Sequence, residues 1–318
     1  MIEQAPPRPT LSSITTLSTD EMIQLLGWQN SQLGRGLARS LFRPGVAHFA
    51  RHVLRFENWI HEYGWSQANR LAAGCYLNSL TVSGAERVPE DGPLLITANH
   101  PGITDFMAVS AAARRDDLSI LAYTRPFLQT MPDLSSHILH LANEPELRFR
   151  AIRGIIRRLQ NGEAVLTFPA GVGEPDPQVM PGAAGSLENW QPSVGLLVRR
   201  VPDLQVIPTL VSGVLSRRAL ELGIVRRKTS ARQKIRLAGT LQVMWQAITG
   251  KPFGDVRVDF GPVLLARELT RLGTTDQVLD VIKDHMRDLI TALAAGNPAR
   301  SSPSEAALPV PFQNQSVR

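Results

Sequence analysis

The chain has 318 residues and one cysteine, Cys75, which excludes an internal disulfide and a cysteine-based metal site. We expect Cys75 to be a small buried apolar residue. No stretch approaches the roughly 20 uncharged apolar residues of a spanning helix, and the first residues lack the charged start and apolar core of a signal peptide. A Gly-x-Ser-x-Gly elbow, a phosphate-binding P-loop and a dinucleotide-binding glycine loop are also absent. These absences argue against disulfide scaffolds, integral membrane proteins, α/β-hydrolases and nucleotide-binding enzymes.

The composition is that of a globular protein with a large core, because 43% of the residues are hydrophobic and 19% are charged. Lysine and arginine outnumber the acidic residues 34 to 28, and a modest net charge of +6 suits an anionic partner. Aromatic residues make up only 6% of the chain, and no RRM-like, finger or helix-turn-helix signature is present, so nucleic acid is not expected as a partner. We expect a cytoplasmic protein that is peripheral on the cytoplasmic face of the membrane.

The positive charge is concentrated in residues 217–236, which contain eight basic residues and one acid, Glu221. Apolar residues follow at helical spacing: Leu237, Leu241, Met244, Trp245 and Ile248. A basic segment that leads into an amphipathic helix with a tryptophan is typical of an interfacial membrane contact. A solvated basic loop before a core helix fits the pattern equally well. Residues 217–248 are therefore a candidate contact with an anionic membrane surface, and both interpretations stay open.

The N-terminal quarter of the chain is expected to be helical. Residues 1–17 are rich in Pro, Ser and Thr, which predicts a flexible N-terminus. Ser18 and Glu21 have the spacing of a capping box and predict the start of a helix, which Pro44 is expected to break. Three helical patterns together predict a helical arm over residues 18–80: they cover 19–40, 46–63 and 66–80.

The pattern then changes to short apolar runs that alternate with helices. Runs typical of buried strands occur at 94–98, 119–123, 164–168 and 205–210, and residues 256–260 alternate as a further strand. Helical patterns cover 104–114, 146–161, 186–200 and 275–295. This order predicts an α/β fold over residues 81–295, with a mostly parallel sheet flanked by helices. Residues 296–318, rich in Pro, Ser and Gln, are expected to be a disordered tail.

One motif at the end of the first of these strands can carry chemistry. Residues 99–105 read Asn-His-Pro-Gly-Ile-Thr-Asp, so His100 lies in a turn at the edge of the sheet and Asp105 lies in the first turn of a helix. The carboxylate of Asp105 can then fix the tautomer of the His100 ring, which leaves the other ring nitrogen as a general base. A positioned general base contributes about 10²–10⁴-fold to a rate.

Two further motifs follow in order, and together the three resemble a known family. Phe168-Pro169-Ala170-Gly171 ends one predicted strand, and residues 206–209, Val-Ile-Pro-Thr, lie in a later one. This set resembles the PlsC-like glycerolipid and lysophospholipid acyltransferases, which carry an Asn-His-x4-Asp motif and a Phe-Pro-x-Gly motif. The resemblance covers residues 80–265 and includes the glycerolipid acyltransferase-like fold. The Phe-Pro-Ala-Gly form is similar to a side branch that includes hemolysin-like and lyso-ornithine-lipid acyltransferases.

The resemblance implies transfer of a fatty acyl group from acyl-CoA or acyl carrier protein to a lysolipid or a related acceptor. It implies His100 as the general base, Asp105 as its orienting partner, and no metal or other resident cofactor. Backbone N–H groups around Gly171 are candidate donors to the oxyanion of the tetrahedral intermediate. The candidate substrate-binding residues are Asn99, Arg125, Phe168, Pro169, Ala170 and Gly171.

The chain departs from the family in its third motif. The family has Glu directly after Phe-Pro and Arg two positions beyond Gly, whereas this chain has Ala170 and Gly173. In the family these two charged residues help to hold a phosphorylated glycerol acceptor, so the departure argues against glycerol-3-phosphate and lysophosphatidic acid as acceptors. Glu174 lies close enough in the sequence to replace the missing charged groups in part. Two other functions stay open: a catalytically weak lipid-binding protein with the same fold, and a thioesterase or lipid hydrolase. The paired histidines His48/His52 and His137/His140 are expected to be ordinary helix-surface residues rather than zinc ligands.

Overall fold

The structure is a computed structural model that describes residues 9–142 and 144–296. Of the flexible N-terminus predicted for residues 1–17, residues 1–8 lie outside the described residues, whereas residues 11–17 belong to the first helix, so the prediction is wrong for them. Of the disordered tail predicted for residues 296–318, residues 297–318 lie outside the described residues. The strands are β1 (Ser79–Ser83), β2 (Leu94–Ala98), β3 (Ser119–Tyr123), β4 (Ile138–Leu141), β5 (Ala164–Thr167), β6 (Gln205–Ser212), β7 (Asp255–Phe260) and β8 (Leu264–Leu265).

The helices divide into an N-terminal group and those that alternate with the strands. The first group is α1 (Leu11–Leu26), α2 (Gln32–Tyr63) and α3 (Trp65–Tyr76). The others are α4 (Asp105–Ala113), α5 (Pro126–Gln129), α6 (Pro132–Ser136), α7 (Pro145–Gln160), α8 (Ala183–Ser186), α9 (Ser193–Arg200), α10 (Arg217–Glu221), α11 (Gly223–Arg226), α12 (Ala231–Thr249), α13 (Ala266–Leu269) and α14 (Thr275–Ala294).

All the strands belong to one sheet in the order β1-β7-β6-β2-β5-β3-β4, and β8 pairs with β6 outside this path. Neighbouring strands from β6 to β4 are parallel, whereas β7 and β8 run antiparallel to β6. Strand β2 lies near the centre and is buried along its whole length. The predicted class, an α/β fold with a mostly parallel sheet flanked by helices, is confirmed.

The two faces of the sheet are covered by different helices, as the alternation of side chains along β2 requires. Leu94 and Ile96 pack with residues of α3 and α4, whereas Leu95 packs with residues of α9 and α14. The helical arm therefore covers one face of the sheet. The predicted arm, residues 18–80, extends too far along the chain. Its last helix, α3, ends at Tyr76 rather than near residue 80, and β1 already begins at Ser79.

The predicted start of the first helix is wrong. Helix α1 begins at Leu11 and is capped by Thr10. The Thr10 hydroxyl accepts from the Ser13 N–H at 3.1 Å, and the Ser13 hydroxyl accepts from the Thr10 N–H at 3.0 Å. The Ser18 hydroxyl is buried inside the helix without a partner and caps nothing. In this capping box Ser13 takes the position that Glu or Gln usually occupies, so the sequence pattern did not identify Thr10 as the start of the helix. The helix ends at Gly27, whose φ of 78° is left-handed.

The break predicted at Pro44 is also wrong, since α2 continues through it. A proline in a helix interior costs about 3 kcal/mol, so packing must offset that cost. Next to the proline, Gly45 lies directly against Ile248 of α12, where a Cβ atom would come within 2.7 Å of the Ile248 side chain. The close approach of α2 and α12 supplies the packing that holds the helix together.

Among the described residues, no helix combines the length and the apolar character needed to cross a membrane.

Candidate active site

Asn99 joins two central strands at the point where the chain leaves the sheet. Its side-chain amide donates to the Val211 carbonyl oxygen at 2.9 Å, and its side-chain oxygen accepts from the Val211 N–H at 2.7 Å. The side chain thus continues the β2–β6 ladder by one residue while the main chain turns away. Both polar atoms of this buried amide are used in this way, so Asn99 is placed as a strand clamp rather than at a ligand surface.

We expect Asn99→Ala to lower the free energy of unfolding by about 2–5 kcal/mol, because it leaves the buried N–H and C=O groups of Val211 unpaired. Urea denaturation followed by circular dichroism measures the change. Asn189→Ala is the matched control, since Asn189 is exposed and makes one bond to the Ser186 carbonyl. A loss below 1 kcal/mol in Asn99→Ala would contradict the clamp.

His100 and Asp105 meet across the turn between β2 and α4. The distance between His100 Nδ1 and Asp105 Oδ2 is 2.7 Å. Asp105 is fully buried, and its carboxylate also accepts from the N–H groups of Gly102 and Phe106, at 3.2 and 2.7 Å. Gly102 is required in this turn, because a Cβ atom there would lie 2.6 Å from the Val214 side chain. The turn is therefore closed around the carboxylate, which points at the ring.

The environment of His100 favours its protonated form. Partial burial acts to lower the pKa of the ring, but the charge of Asp105, the hydrogen bond to it and the charge of Glu174 outweigh this effect. The pKa of His100 therefore lies above its ordinary value. The side chain is 34% exposed, and Nε2 has no protein partner among residues 9–142 and 144–296.

The second motif lies beside the ring. Phe168 packs against His100 with the ring centroids 4.6 Å apart. Gly171 has a φ of 63° and donates its N–H to the Phe168 carbonyl oxygen at 2.9 Å, which forms a tight turn. Because that N–H is used, an oxyanion donor near Gly171 would have to be another backbone group. Pro169 accepts a bond from the Gln191 N–H, and Ala170 is buried with the core on the opposite face of the sheet.

A cationic group lies close to the candidate base. Arg125, the N-cap residue of α5, is half-exposed and pairs with Glu21 of α1 at 3.1 Å. Partial burial, together with the guanidinium groups of Arg125 and Arg232, lowers the pKa of Arg236 on α12, and Glu21 opposes this shift. One arginine from the start of α5 and two from α12 therefore lie close to Glu21.

An apolar cavity of about 320 Å³ opens beside His100. It extends along β3 from Tyr123 to Ile120 and lies beneath α2 and α3. Its lining is mostly apolar and aromatic, and includes Phe49, Val53, Phe56, Trp59, Phe106 and Leu128. Cys75 also lines it and packs against the core while only partly buried, so the prediction of a small buried apolar residue holds in part.

The cavity separates the candidate residues into two groups. The structure brings His100, Asp105, Arg125, Phe168 and Gly171 together around it. Asn99, Pro169 and Ala170 do not line it; they hold the surrounding backbone in place. The contribution of the helical arm was not foreseen, because a helical pattern does not distinguish residues that face a cavity from residues that face a core.

Two buried carboxylates, those of Glu174 and Asp176, follow the second motif. Glu174 was expected only as a partial substitute for the Glu that the family has after Phe-Pro, and Asp176 was not predicted. Glu174 contacts the backbone of His100, with its own N–H donating to the His100 carbonyl oxygen at 2.8 Å. Asp176 accepts from the N–H groups of residues 213–215, at 2.7–3.0 Å, and so holds the loop after β6. The sequence signal that could have identified both residues is the occurrence of two acidic side chains in a segment rich in Gly and Pro, residues 171–177.

The paired histidines lie in different environments. His48 is exposed, as predicted, whereas His52 is partly buried, packs edge-on against Tyr76 and lines the cavity, so the prediction of a helix-surface residue is wrong for His52. His137 stacks on Trp65 and His140 contacts the Ser135 hydroxyl, so these two are partly buried rather than helix-surface residues. Within the described ranges, no group of three or more His, Cys, Asp or Glu residues could hold a metal ion.

Comparisons with known proteins place this site in a family. No curated protein matches the chain. Among solved structures, it is similar to the 1-acyl-sn-glycerophosphate (LPA) acyltransferase PlsC from Thermotoga maritima, with 15% identity and a TM-score of 0.42 over 90% of this chain and 97% of that one. Residues 79–212, from the start of β1 to the end of β6, match the family model described as Acyltransferase. This range contains His100, Asp105, Arg125, Phe168 and Gly171, whereas the helices of the arm that line the cavity lie outside it. The match confirms the predicted resemblance: residues 79–212 form a domain of the acyltransferase family, and the protein is an acyltransferase.

Proposed function

We propose that this acyltransferase moves a fatty acyl group from a thioester donor, acyl-CoA or acyl carrier protein, to a lysolipid or a related acceptor, with His100 as the general base. One observation carries the proposal: the His100 ring lies between a buried carboxylate and an apolar cavity. An ionised Asp105 only accepts hydrogen bonds, so Nδ1 carries the proton and Nε2 offers its lone pair.

The reaction needs no acyl-enzyme intermediate and no resident cofactor. Nε2 of His100 takes the proton of the acceptor hydroxyl, and the acceptor oxygen attacks the thioester carbonyl carbon. The tetrahedral intermediate collapses with cleavage of the C–S bond, and the imidazolium returns the proton to the leaving thiolate. Asp105 stabilises the imidazolium between these two steps.

The cavity is suited to the acyl chain. Ligand pockets are typically about 300–1,000 Å³ and predominantly apolar, and this cavity has both properties. The His100 ring, which the thioester and the acceptor must both reach, is part of its lining. The arm helices α2 and α3 would then form the wall that contacts the chain.

The arginines near the mouth support an acceptor or donor that carries a phosphate. Arg125, Arg232 and Arg236 lie close enough to affect one another, and Glu21 pairs with Arg125 among them, so arginine side chains are available there for a phosphate. An arginine at position 173 would have no room, because a Cβ atom there already lies 2.9 Å from Ile235. Arg236, the next residue of α12, lies instead near Arg125 and Glu21.

The test is an acyl-transfer assay with palmitoyl-CoA and palmitoyl-acyl carrier protein, offered to a panel of lysolipids with and without a phosphate, with free thiol as the readout. Thiol release only in the presence of an acceptor supports the transferase. Release that does not depend on an acceptor would support a thioesterase and contradict the proposal. Bound lipid without thiol release from either donor would support a binding protein and contradict it equally.

We also propose that the edge of the sheet near His100 contacts an anionic membrane surface through residues 217–248. Helix α12 covers much of the predicted amphipathic segment, with Leu237 and Met244 buried and Trp245 65% exposed. Leu222 and Ile224 are also exposed, beside Arg226 and Arg227. Exposed apolar and basic residues that alternate in this way support an interfacial contact more than a solvated loop.

We expect replacement of Arg226, Arg227 and Lys228 with glutamine to weaken binding to anionic vesicles by about 1 kcal/mol per charge. Sedimentation with phosphatidylserine-containing vesicles measures the change. The charge-matched control replaces Arg200, Arg267 and Arg271, which are exposed near the opposite edge of the sheet. Equal binding by the two triple variants would contradict the assignment of this surface.

A further inference from the structure

Glu174 is a buried carboxylate that holds the backbone of His100 from behind. Its side chain is 2% exposed. Oε2 accepts from the His100 N–H at 3.1 Å, and the Glu174 N–H donates to the His100 carbonyl oxygen at 2.8 Å. Both backbone polar groups of His100 are therefore bound to the same residue. Asp105 fixes the ring, whereas Glu174 fixes the main chain from which the ring projects.

The other carboxylate oxygen of Glu174 is anchored in the layer beneath. Oε1 accepts from the Ser186 hydroxyl and from the Trp190 indole N–H, each at 3.0 Å. Trp190 is 3% exposed and belongs to the core between the sheet and helices α9 and α14. The position of His100 is thus tied, through one side chain, to a rigid part of the fold.

Glu174 also acts on His100 through its charge. Three charged groups face the ring: Asp105 from α4, Arg125 from the start of α5, and Glu174 from the segment after β5. Asp105 and Glu174 raise the pKa of His100, and Arg125 lowers it. Burial raises the pKa of Glu174 itself to about 7, against its hydrogen bonds from Trp190, Ser186 and His100.

We propose that Glu174 is a positioning residue for acyl transfer: it fixes the His100 main chain so that the ring stays between Asp105 and the cavity, and its charge stabilises the imidazolium that forms when His100 takes a proton. The inference rests on the proposed function of His100 as the general base. Glu174 does not line the cavity, so it acts through His100 rather than on the substrate.

The test is Glu174→Gln, which keeps the size of the side chain and removes its charge. A glutamine amide cannot accept on both sides, so either the His100 N–H or the Trp190 N–H loses its acceptor. We expect kcat to fall about 10- to 100-fold with little change in KM. We also expect the pKa of His100, measured by NMR titration of the labelled histidine rings, to fall. Loss of a negative charge favours the neutral ring, so the acidic limb of the kcat/KM profile should move to lower pH.

Asp176→Asn is the matched control, because Asp176 is equally buried, lies two residues away and binds backbone N–H groups of residues 213–215 rather than His100. We expect it to lower the free energy of unfolding without moving the pKa of His100. Glu174→Gln with an unchanged kcat and an unchanged His100 pKa overturns the inference. If no donor and acceptor give thiol release with the wild-type protein, the proposed function fails, while the NMR titration still tests the link between Glu174 and His100.

Ser186→Ala serves as a second variant that keeps the inference testable if Glu174→Gln does not fold. It removes one donor to the Glu174 carboxylate, which disfavours the charged form and raises the pKa of Glu174. We expect a smaller loss of kcat at neutral pH that recovers as the pH is raised and Glu174 ionises again. A loss that is the same at every pH would overturn the role of the Glu174 charge.

Discussion

Replacement of His100 with alanine should lower acyl transfer by about 10²–10⁴-fold, while the protein remains folded. The ring contributes one hydrogen bond to the fold, the one to Asp105, and the side chain is 34% exposed and lines the cavity. Its removal therefore takes away the proton acceptor without opening the core. The assay follows thiol release from the donor and acceptor pair that gives the fastest wild-type rate, with circular dichroism as the check on folding.

The chain offers a matched control for this experiment in a second His–Asp pair. His61 Nδ1 lies 3.4 Å from Asp133 Oδ2, but the two side chains are 66% and 39% exposed, and neither lines the cavity. His61→Ala should leave the transfer rate unchanged, because a surface ion pair of this kind contributes little. A folded His100→Ala variant that retains near wild-type turnover would remove His100 from the mechanism.

The central strands and the helix that carries Asp105 could be predicted from the sequence because their signals are local. Residues 94–98 form a continuous apolar run, and the structure has β2 with the same bounds. The helix predicted at 104–114 is α4, Asp105–Ala113. Strands β1, β4 and β8 were missed. The third helical pattern was extended to residue 80, into β1, and the four residues of β4 and two residues of β8 carry too little pattern to distinguish a strand from a loop.

Errors in the N-terminal region arose where tertiary packing outweighs local preference. Pro44 predicts a break that packing of Gly45 against Ile248 prevents, although the two residues are 203 positions apart in the sequence. The same limit applies to the site. The His100–Asp105 contact spans five residues and follows from a turn, whereas the contacts of His100 with Glu174 and of Asn99 with Val211 depend on how β2, β5 and β6 are placed side by side.

Conversion of Asp105 to asparagine should be about as damaging to activity as loss of the base, and it should also destabilise the protein. Asp105 accepts from His100 Nδ1 and the Gly102 N–H on one oxygen and from the Phe106 N–H on the other. An asparagine that turns its oxygen toward His100 directs its NH₂ group at the Phe106 N–H, and the opposite orientation directs the NH₂ group at His100 and Gly102. Either way, a buried donor loses its acceptor, at a cost of about 1–3 kcal/mol.

The catalytic consequence depends on which ring nitrogen then carries the proton. With the NH₂ group facing Nδ1, the ring adopts the tautomer with its proton on Nε2, and the lone pair no longer faces the cavity. We expect a fall in kcat of about 10²-fold or more. Because Asp105 raises the pKa of His100, its neutralisation should lower that pKa and move the acidic limb of the pH profile to lower pH. Asp133→Asn, in the exposed pair, should change neither the rate nor the profile. If Asp105→Asn kept the wild-type rate and pH profile, orientation and charge from Asp105 would have no part in the reaction, and the base would have to be sought elsewhere along the cavity.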